Sequence, residues 1–312
     1  MKYVLFAGSR VGLEALRVMS ELHCDVAHVF IESEHEHEHE KYYARSMEQC
    51  ASAGFAFSRD PKQKEISDLL ALYTTDGPSI DYVMSFGYRR MIPDSVLAMA
   101  RIAALGTHFS PLPRYRGFAP LNWLLINGEL ETAVNLFYLD KDVDNGDIID
   151  REPVSIDYTD DINSLYEKCI RAFRKVMKRS IPHLEQGVFK SVKQDHSQAS
   201  YTCARSPDDG RINWQCSAQS IYNLCRALTY PYPGAFSYVD GQKLFVWSCE
   251  EYPIPKYEGR IPGKVIQILK DQGVVVLCGE GAVLLKDVQI ESGKRQTADR
   301  VVRSVRQSLG MQ

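Results

Sequence analysis

Apolar positions alternate between short continuous runs and helical spacing through the first half of the chain. Residues 2–7 form an apolar run ended by Gly8, and residues 11–22 then carry Leu13, Leu16, Val18, Met19 and Leu22 at helical spacing, which predicts a strand followed by a helix. The alternation continues with strands at 25–31 and 55–57, helices at 42–53 and 66–73, strands at 81–85, 103–108 and 133–139, and a long amphipathic helix over 161–184. Strands interleaved with helices predict βαβ units and a mostly parallel sheet covered by helices. Beyond about residue 187 the pattern changes. Segments 235–239, 243–248, 263–269, 273–277 and 282–288 are short, rich in β-branched residues and separated by Gly, Asp or Lys turns, with one helix at 217–228 before them. Such a run predicts a small antiparallel barrel or sandwich. The expected fold is therefore α/β, with a Rossmann-like, mostly parallel sheet domain over 1–190 and a small OB-like β-barrel domain over 200–312.

A length of 312 residues fits those two domains better than one core. Apolar residues at 45% and charged residues at 25% match an ordinary globular chain and argue against disorder. The net charge of −3 lacks the basic excess that nucleic-acid phosphates attract, which counts against an RNA partner. Cysteines fall at 24, 50, 169, 203, 216, 225, 249 and 278, with no CxxC pair, so reduced thiols acting as small apolar residues are expected. The opening MKYVLFAGSR has too short an apolar run for a leader, and no run approaches the roughly 18 residues of a membrane span. The expectation is a cytoplasmic protein without membrane association. One segment is biased: in residues 32–40, ESEHEHEHE, His35, His37 and His39 alternate with carboxylates. An i, i+2 spacing on a loop enforces no tetrahedral geometry, so a solvated acidic loop is expected there rather than a metal site.

Residues 106–127, GTHFSPLPRYRGFAPLNWLLIN, carry the first candidate chemistry. The strand ends at His108, and Pro111 and Pro113 stiffen the turn, since each proline fixes its own φ and restricts the residue before it. Arg114 and Arg116 flank Tyr115, and Gly117 allows a tight backbone before a helix near Pro120. A His at the carboxyl end of a parallel strand stands where open α/β sheets bind ligands. The plain alternative is a packed strand-end His with arginines in surface ion pairs. Residues 139–150, LDKDVDNGDIID, hold the second group. Asn145-Gly146 is a strong hairpin signal, so these acids read equally well as a turn between strands. The spacing lacks the glycine and terminal glutamate of a calcium loop. A carboxylate brought near His108 would orient the imidazole and raise its basicity. A dinucleotide site would want GxGxxG after the first strand, and this chain offers only Gly8-Ser9-Arg10-Val11-Gly12.

HFSPLPRYRGFAPLNW followed by VDNGD resembles the signature of the N10-formyltetrahydrofolate-dependent formyltransferases: an Asn, a His two residues later, Ser-Leu-Leu-Pro, an arginine-glycine turn and a later Asp-x-Gly-Asp. YRGFAPLNWLLINGELET, RSPDDGRINW and YPYPGAFSYVDGQKLFVWS extend the likeness over nearly the whole chain. It leans towards the sugar N-formyltransferases, such as the formyltransferase half of the bifunctional polymyxin-resistance enzyme, and is also similar to methionyl-tRNA formyltransferase. The resemblance implies a catalytic domain over 1–190 that uses N10-formyltetrahydrofolate as formyl donor, without a metal. It implies that His108 is the general base or shares the proton leaving the attacking amine, and that Asp144 orients it. The loop of Phe86, Gly87, Tyr88, Arg89, Met91 and Ile92 would line the pterin pocket with Leu139, Asp140 and Asp142. Ser110, Pro111, Leu112, Pro113 and Arg114, with Tyr115, Arg116 and Gly117, would face the acceptor. An ammonium cannot attack a carbonyl, so an imidazole that titrates near neutral pH suits the task.

One position departs from the pattern. The family's Asn, a donor to the oxyanion, falls at Gly106 here. Thr107 points to the opposite face from His108 and is a poor substitute. An ordered water or backbone group, another side chain such as Asn122, or a slow enzyme are the alternatives. The acceptor implied is the primary amine of a nucleotide-linked sugar, with a UDP-linked 4-amino-4-deoxy-arabinose or 4-amino-4,6-dideoxy-N-acetylhexosamine both open. The acidic loop at 32–40 would repel tRNA phosphates, which disfavours the tRNA reading. A folate-binding module without transfer activity is the alternative from another class. The oligomeric state is open, with a homodimer among the expectations.

Overall fold

The first apolar run forms β1 (Lys2–Ala7), and the helical spacing after it forms α1 (Ser9–Glu21). The computed structural model describes residues 1–34, 41–75 and 79–310, so His35, His37 and His39 lie outside the described residues. Then follow β2 (Asp25–Ile31), α2 (Tyr43–Ala53), β3 (Phe57–Arg59), α3 (Gln63–Thr75), β4 (Tyr82–Phe86), a short α4 (Asp94–Leu97) and β5 (Ala103–His108). After these come β6 (Arg116–Gly117), α5 (Pro120–Ile126), β7 (Glu131–Tyr138), β8 (Ile148–Ser155) and α6 (Ile162–Glu185). A seven-stranded sheet has the order β3-β2-β1-β4-β5-β7-β8. Strands β1 to β5 pair in parallel, while β7 and β8 run antiparallel. Val4, Phe6, Phe30 and Val83 of the sheet share a buried core with Ile66 and Leu70 of α3.

Chain order reverses across this sheet between β1 and β4, the place where open α/β sheets leave a ligand crevice. The loops that follow these two strands touch there. Gly8 N donates to Phe86 O at 3.0 Å, and a Cβ added at Gly8 would lie 2.4 Å from Gly87 O. The expected strand at 55–57 begins two residues later than its apolar residues suggest. Gly54 caps α2 at φ 73°, and Phe55 N bonds back to Cys50 O at 2.9 Å, so Phe55 still belongs to the helix end. The hairpin that Asn145-Gly146 signals is present between β7 and β8, although the pattern of β8 itself does not read as a strand. Its IIDREPVS breaks strict alternation and contains Pro153, which is tolerated because β8 lies at the sheet edge.

Towards the C-terminus, β9 (Tyr201–Thr202) pairs with β6, and α7 (Ala218–Leu228) precedes β10 (Ala235–Val239), β11 (Gln242–Glu251), β12 (Val265–Leu269), β13 (Gly273–Leu277), β14 (Ala282–Ile290) and β15 (Gln296–Thr297). These last six strands form an antiparallel sheet ordered β10-β11-β14-β13-β12, with β15 on β14. Leu244, Val246, Val274, Val276 and Leu285 share its core with Ile221 and Cys225 of α7. The chain is thus a Rossmann-like α/β sheet followed by a small antiparallel β domain.

Contacts divide the chain into two units: Met1–Gly117, Glu131–Ser155 and Tyr166–Thr202, and then Phe118–Leu130, Ile156–Leu165 and Cys203–Gln312. Two segments that precede residue 190 therefore count with the second unit. Long-range hydrogen bonds tie them there: Asn122 Nδ2 donates to Ala227 O at 2.8 Å, and Arg226 Nη1 donates to Asp160 O at 2.9 Å. All eight cysteines are free thiols, and six are buried. Among the described residues, no helix is long and apolar enough to cross a membrane.

Candidate active site

β5 delivers His108 to the carboxyl edge of the parallel strands, with the residue only 8% exposed. Its Nδ1 lies 3.4 Å from Asp144 Oδ2, and its Nε2 lies 2.7 Å from Tyr115 O. Gly117 N donates to the same Asp144 Oδ2 at 2.8 Å. The two expected segments, 106–127 and 139–150, are thus brought together by side-chain contact at His108 and Gly117. Tyr115 and Asp144 both adopt left-handed backbone, at φ 60° and 51°. Such residues persist only where their surroundings over-determine them. Around Tyr115 that role falls to Ser110, whose Oγ donates to Arg114 O at 2.8 Å, and to Ser200, whose Oγ accepts from Tyr115 N at 3.0 Å.

Asn135 of β7, fully buried, pairs in register with His108. Its Nδ2 donates to His108 O at 3.0 Å and Ser110 O at 2.7 Å, while its Oδ1 accepts from Arg151 Nε at 2.8 Å. Nothing in the periodicity of the chain marks this residue as part of a site. The available signal is one amide inside an otherwise apolar strand, AVNLFY. Gln194 is likewise unmarked. It donates to Asp144 O at 2.9 Å and Gly146 O at 2.7 Å, from a polar stretch with no periodic signal.

Gly146 is required by close approach rather than by its φ. A Cβ there would lie 1.9 Å from Tyr138 O, a backbone atom that cannot step aside. Gly146→Ala is expected to destabilise the fold by at least about 2 kcal/mol. A thermal melt checks it, and an unchanged midpoint would mean the hairpin relaxes freely.

The remaining expected site residues divide by role. In the 86–92 loop, Phe86 is buried with its ring edge-on to Phe173 (centroids 5.4 Å apart), and Tyr88 and Ile92 pack against the sheet core. Arg89 N donates to Glu32 Oε2 at 2.7 Å, Arg90 Nε lies 3.2 Å from Glu32 Oε1, and Met91 is 79% exposed. Leu139 packs with Leu112, Phe137 and Ile148, whereas Asp140 and Asp142 face solvent. Pro111 and Pro113 are half-buried, and Arg114 is exposed with its guanidinium 5.3 Å from the Tyr115 ring centroid. Arg116 was expected to face the acceptor or to form a surface ion pair. It is 1% exposed, and its Nη2 donates to Gln194 Oε1 at 2.7 Å. Among the described residues, no group of three or more His, Cys, Asp or Glu could hold a metal.

Residues 8–181 match the family described as "Formyl transferase", and residues 205–306 match "Formyl transferase, C-terminal domain". The chain belongs to the formyl transferase family. Similar solved structures include HypX from Aquifex aeolicus in complex with tetrahydrofolic acid, at 18% identity and TM-score 0.63, covering 97% of this chain and 47% of that chain. This formyl transferase chain therefore spans about half the length of HypX. An N-formyltransferase from Helicobacter canadensis in complex with folinic acid and dTDP-3-aminofucose is 16% identical with TM-score 0.68, covering 91% of this chain and 99% of that one. Methionyl-tRNA formyltransferase from Clostridium thermocellum is 17% identical with TM-score 0.57, covering 93% and 99%.

Within this formyl transferase, Gly106 has a physical explanation. A Cβ at 106 would lie 2.6 Å from Leu139 Cδ2, so the space a side chain would enter holds an apolar isobutyl group. Asn122, an expected stand-in, spends its amide on Ala227 O, and Thr107 Oγ1 donates to Asn135 O at 2.8 Å. Of the acidic loop at 32–40, only residues 32–34 are among the described residues, and the rest of it lies outside them. Glu32 is buried against Arg89 and Arg90, and Glu34 accepts from Tyr43 N at 2.8 Å, so both carboxylates serve the fold.

Proposed function

We propose that the protein moves the formyl group of N10-formyltetrahydrofolate to the primary amine of a nucleotide-linked sugar, of the UDP-4-amino-4-deoxy or 4,6-dideoxy class. The His108–Asp144 pair at the carboxyl edge of the parallel strands, 3.4 Å apart, is the observation that carries this reading. The 86–92 loop suits a flat pterin, because it lies after β4 at the switch point and turns Tyr88 and Ile92 into the core. The donor, when bound, supplies an electrophilic formyl carbon on N10. The amine nitrogen bonds to that carbon, the carbon–N10 bond breaks, and His108 carries the amine's proton towards N10. Asp144, fixed by Gly117 N, holds the ring and stabilises it while it carries the extra proton. The Helicobacter canadensis enzyme, with folinic acid and a dTDP-amino sugar bound, supports a nucleotide-sugar acceptor.

The test is a formyl-transfer assay with N10-formyltetrahydrofolate, comparing UDP- and dTDP-linked amino sugars with charged initiator methionyl-tRNA. Turnover on a UDP-4-amino sugar is the expected result. Turnover on the tRNA alone would overturn the acceptor and spare the chemistry. Donor binding without turnover on any amine would favour a folate-binding module.

A further inference from the structure

Arg116 is a buried cation with an amide, an imidazole and a phenol as hydrogen-bond partners rather than a carboxylate. Its Nη2 donates to Gln194 Oε1 at 2.7 Å and to His196 Nδ1 at 3.1 Å, and its Nη1 donates to Tyr201 Oη at 3.2 Å. Its Nε is buried and finds no partner among the described residues. Burying a guanidinium without a carboxylate is unfavourable, so packing alone would not select it. What the group does is fix the direction of one amide. Arginine only donates, so Gln194 must turn its oxygen to Arg116. That leaves both N–H bonds of Nε2 for Asp144 O at 2.9 Å and Gly146 O at 2.7 Å. Gln194 is 5% exposed, and every hydrogen-bonding direction of its amide except one oxygen lone pair is used.

We infer that Gln194, oriented by Arg116, is a positioning residue that holds the left-handed Asp144 so that its carboxylate meets His108. The inference rests on the proposed transfer reaction only for its kinetic readout. The dipeptide Arg116-Gly117 grips the 144–146 loop twice. Its side chain acts through Gln194 on the loop's carbonyls, and Gly117 N holds the Asp144 carboxylate at 2.8 Å. The Gly146–Tyr138 approach is a further constraint on the loop. With its backbone carbonyl held by Gln194 and its carboxylate by Gly117 N, Asp144 at φ 51° is costly to turn away from Nδ1. Glutamate at 194 would keep a partner for Arg116 but offer no N–H to either carbonyl. Methionine would keep the volume and offer neither.

The experiment combines kinetics with the ring 15N signals of His108 in full-length protein, assigned with His108→Gln. In Gln194→Glu, kcat is expected to fall about 100-fold with the KM for the formyl donor within about twofold, because a displacement of about 1 Å at a catalytic group costs that much. The His108 ring signals are expected to move as they do in Asp144→Asn, which a merely structural role would not produce. Gln194→Met carries the same two readouts should the glutamate variant not fold. Unchanged kcat and unchanged ring signals in a folded variant overturn the inference, as does failure of both variants to fold. A wild-type protein that transfers no formyl group sinks the proposed function, while the ring signals still decide whether Gln194 positions Asp144.

Discussion

His108→Ala is expected to lower kcat for formyl transfer by about 10²- to 10⁴-fold, the usual contribution of a positioned acid–base group. The hydrogen bonds of the ring explain why a substitute would not serve. Nε2 faces a carbonyl oxygen at 2.7 Å and Nδ1 faces a carboxylate oxygen at 3.4 Å, and neither oxygen can donate. A neutral imidazole brings one N–H to these two acceptors. The shorter contact takes it, which leaves the Nδ1 lone pair facing Asp144. A proton added at Nδ1 would satisfy both contacts at once, which is what the proposed acid–base role asks of this ring. Removing the ring strands Tyr115 O, a penalty of about 1–3 kcal/mol for a buried group. The thermal midpoint should therefore be measured beside the rate. Asp144→Asn separates the two effects, since it keeps an oxygen for Gly117 N and loses the charge beside Nδ1. Wild-type kcat in folded His108→Ala would remove the acid–base role from this residue.

Much of this arrangement was legible in the chain because apolar runs bounded by glycine or proline are strong local signals. Residues 103–108 end in His108 as the pattern predicts, and 273–277 match their strand residue for residue. The failures share a cause. β8 breaks alternation because an edge strand accepts Pro153 and solvent-facing charges, and β3 is displaced because Gly54 holds Phe55 in the helix cap. The segments 118–130 and 156–165 join the second unit through contacts distant in sequence, among them the hydrogen bond from Asn122 to Ala227, 105 residues away. Asn135 and Gln194 escaped for the same reason. Their importance lies in which carbonyls they reach, and a polar residue in a sequence does not name its partners. Arg116 shows the converse limit, since an arginine beside a turn reads equally as an acceptor contact or a surface ion pair until its burial is seen.

Gly106→Asn combined with Leu139→Ala is expected to raise kcat by about 10²- to 10³-fold, the usual effect of one oxyanion donor. Residue 106 shares a strand face with His108, so a side chain there points towards the same reacting group. In the wild type, Leu139 Cδ2 stands where the Cβ would go, with Leu139 Cγ at 3.2 Å and Phe137 Cζ at 3.5 Å. Leu139 is anchored through its backbone, N to Ala104 O at 2.9 Å, so its side chain rather than the loop must give way. Asn alone should overpack this corner and cost about 1–3 kcal/mol. The alanine at 139 provides the space that the amide needs, and the pair should be more stable than Gly106→Asn by itself. Such coupling between touching residues is measured by the full double-mutant cycle. A folded double variant that is no faster than wild type would mean that a backbone N–H already serves the oxyanion, and Gly106 would then be a packing choice without kinetic consequence. A faster one would identify Leu139 as the residue that keeps this site short of a donor.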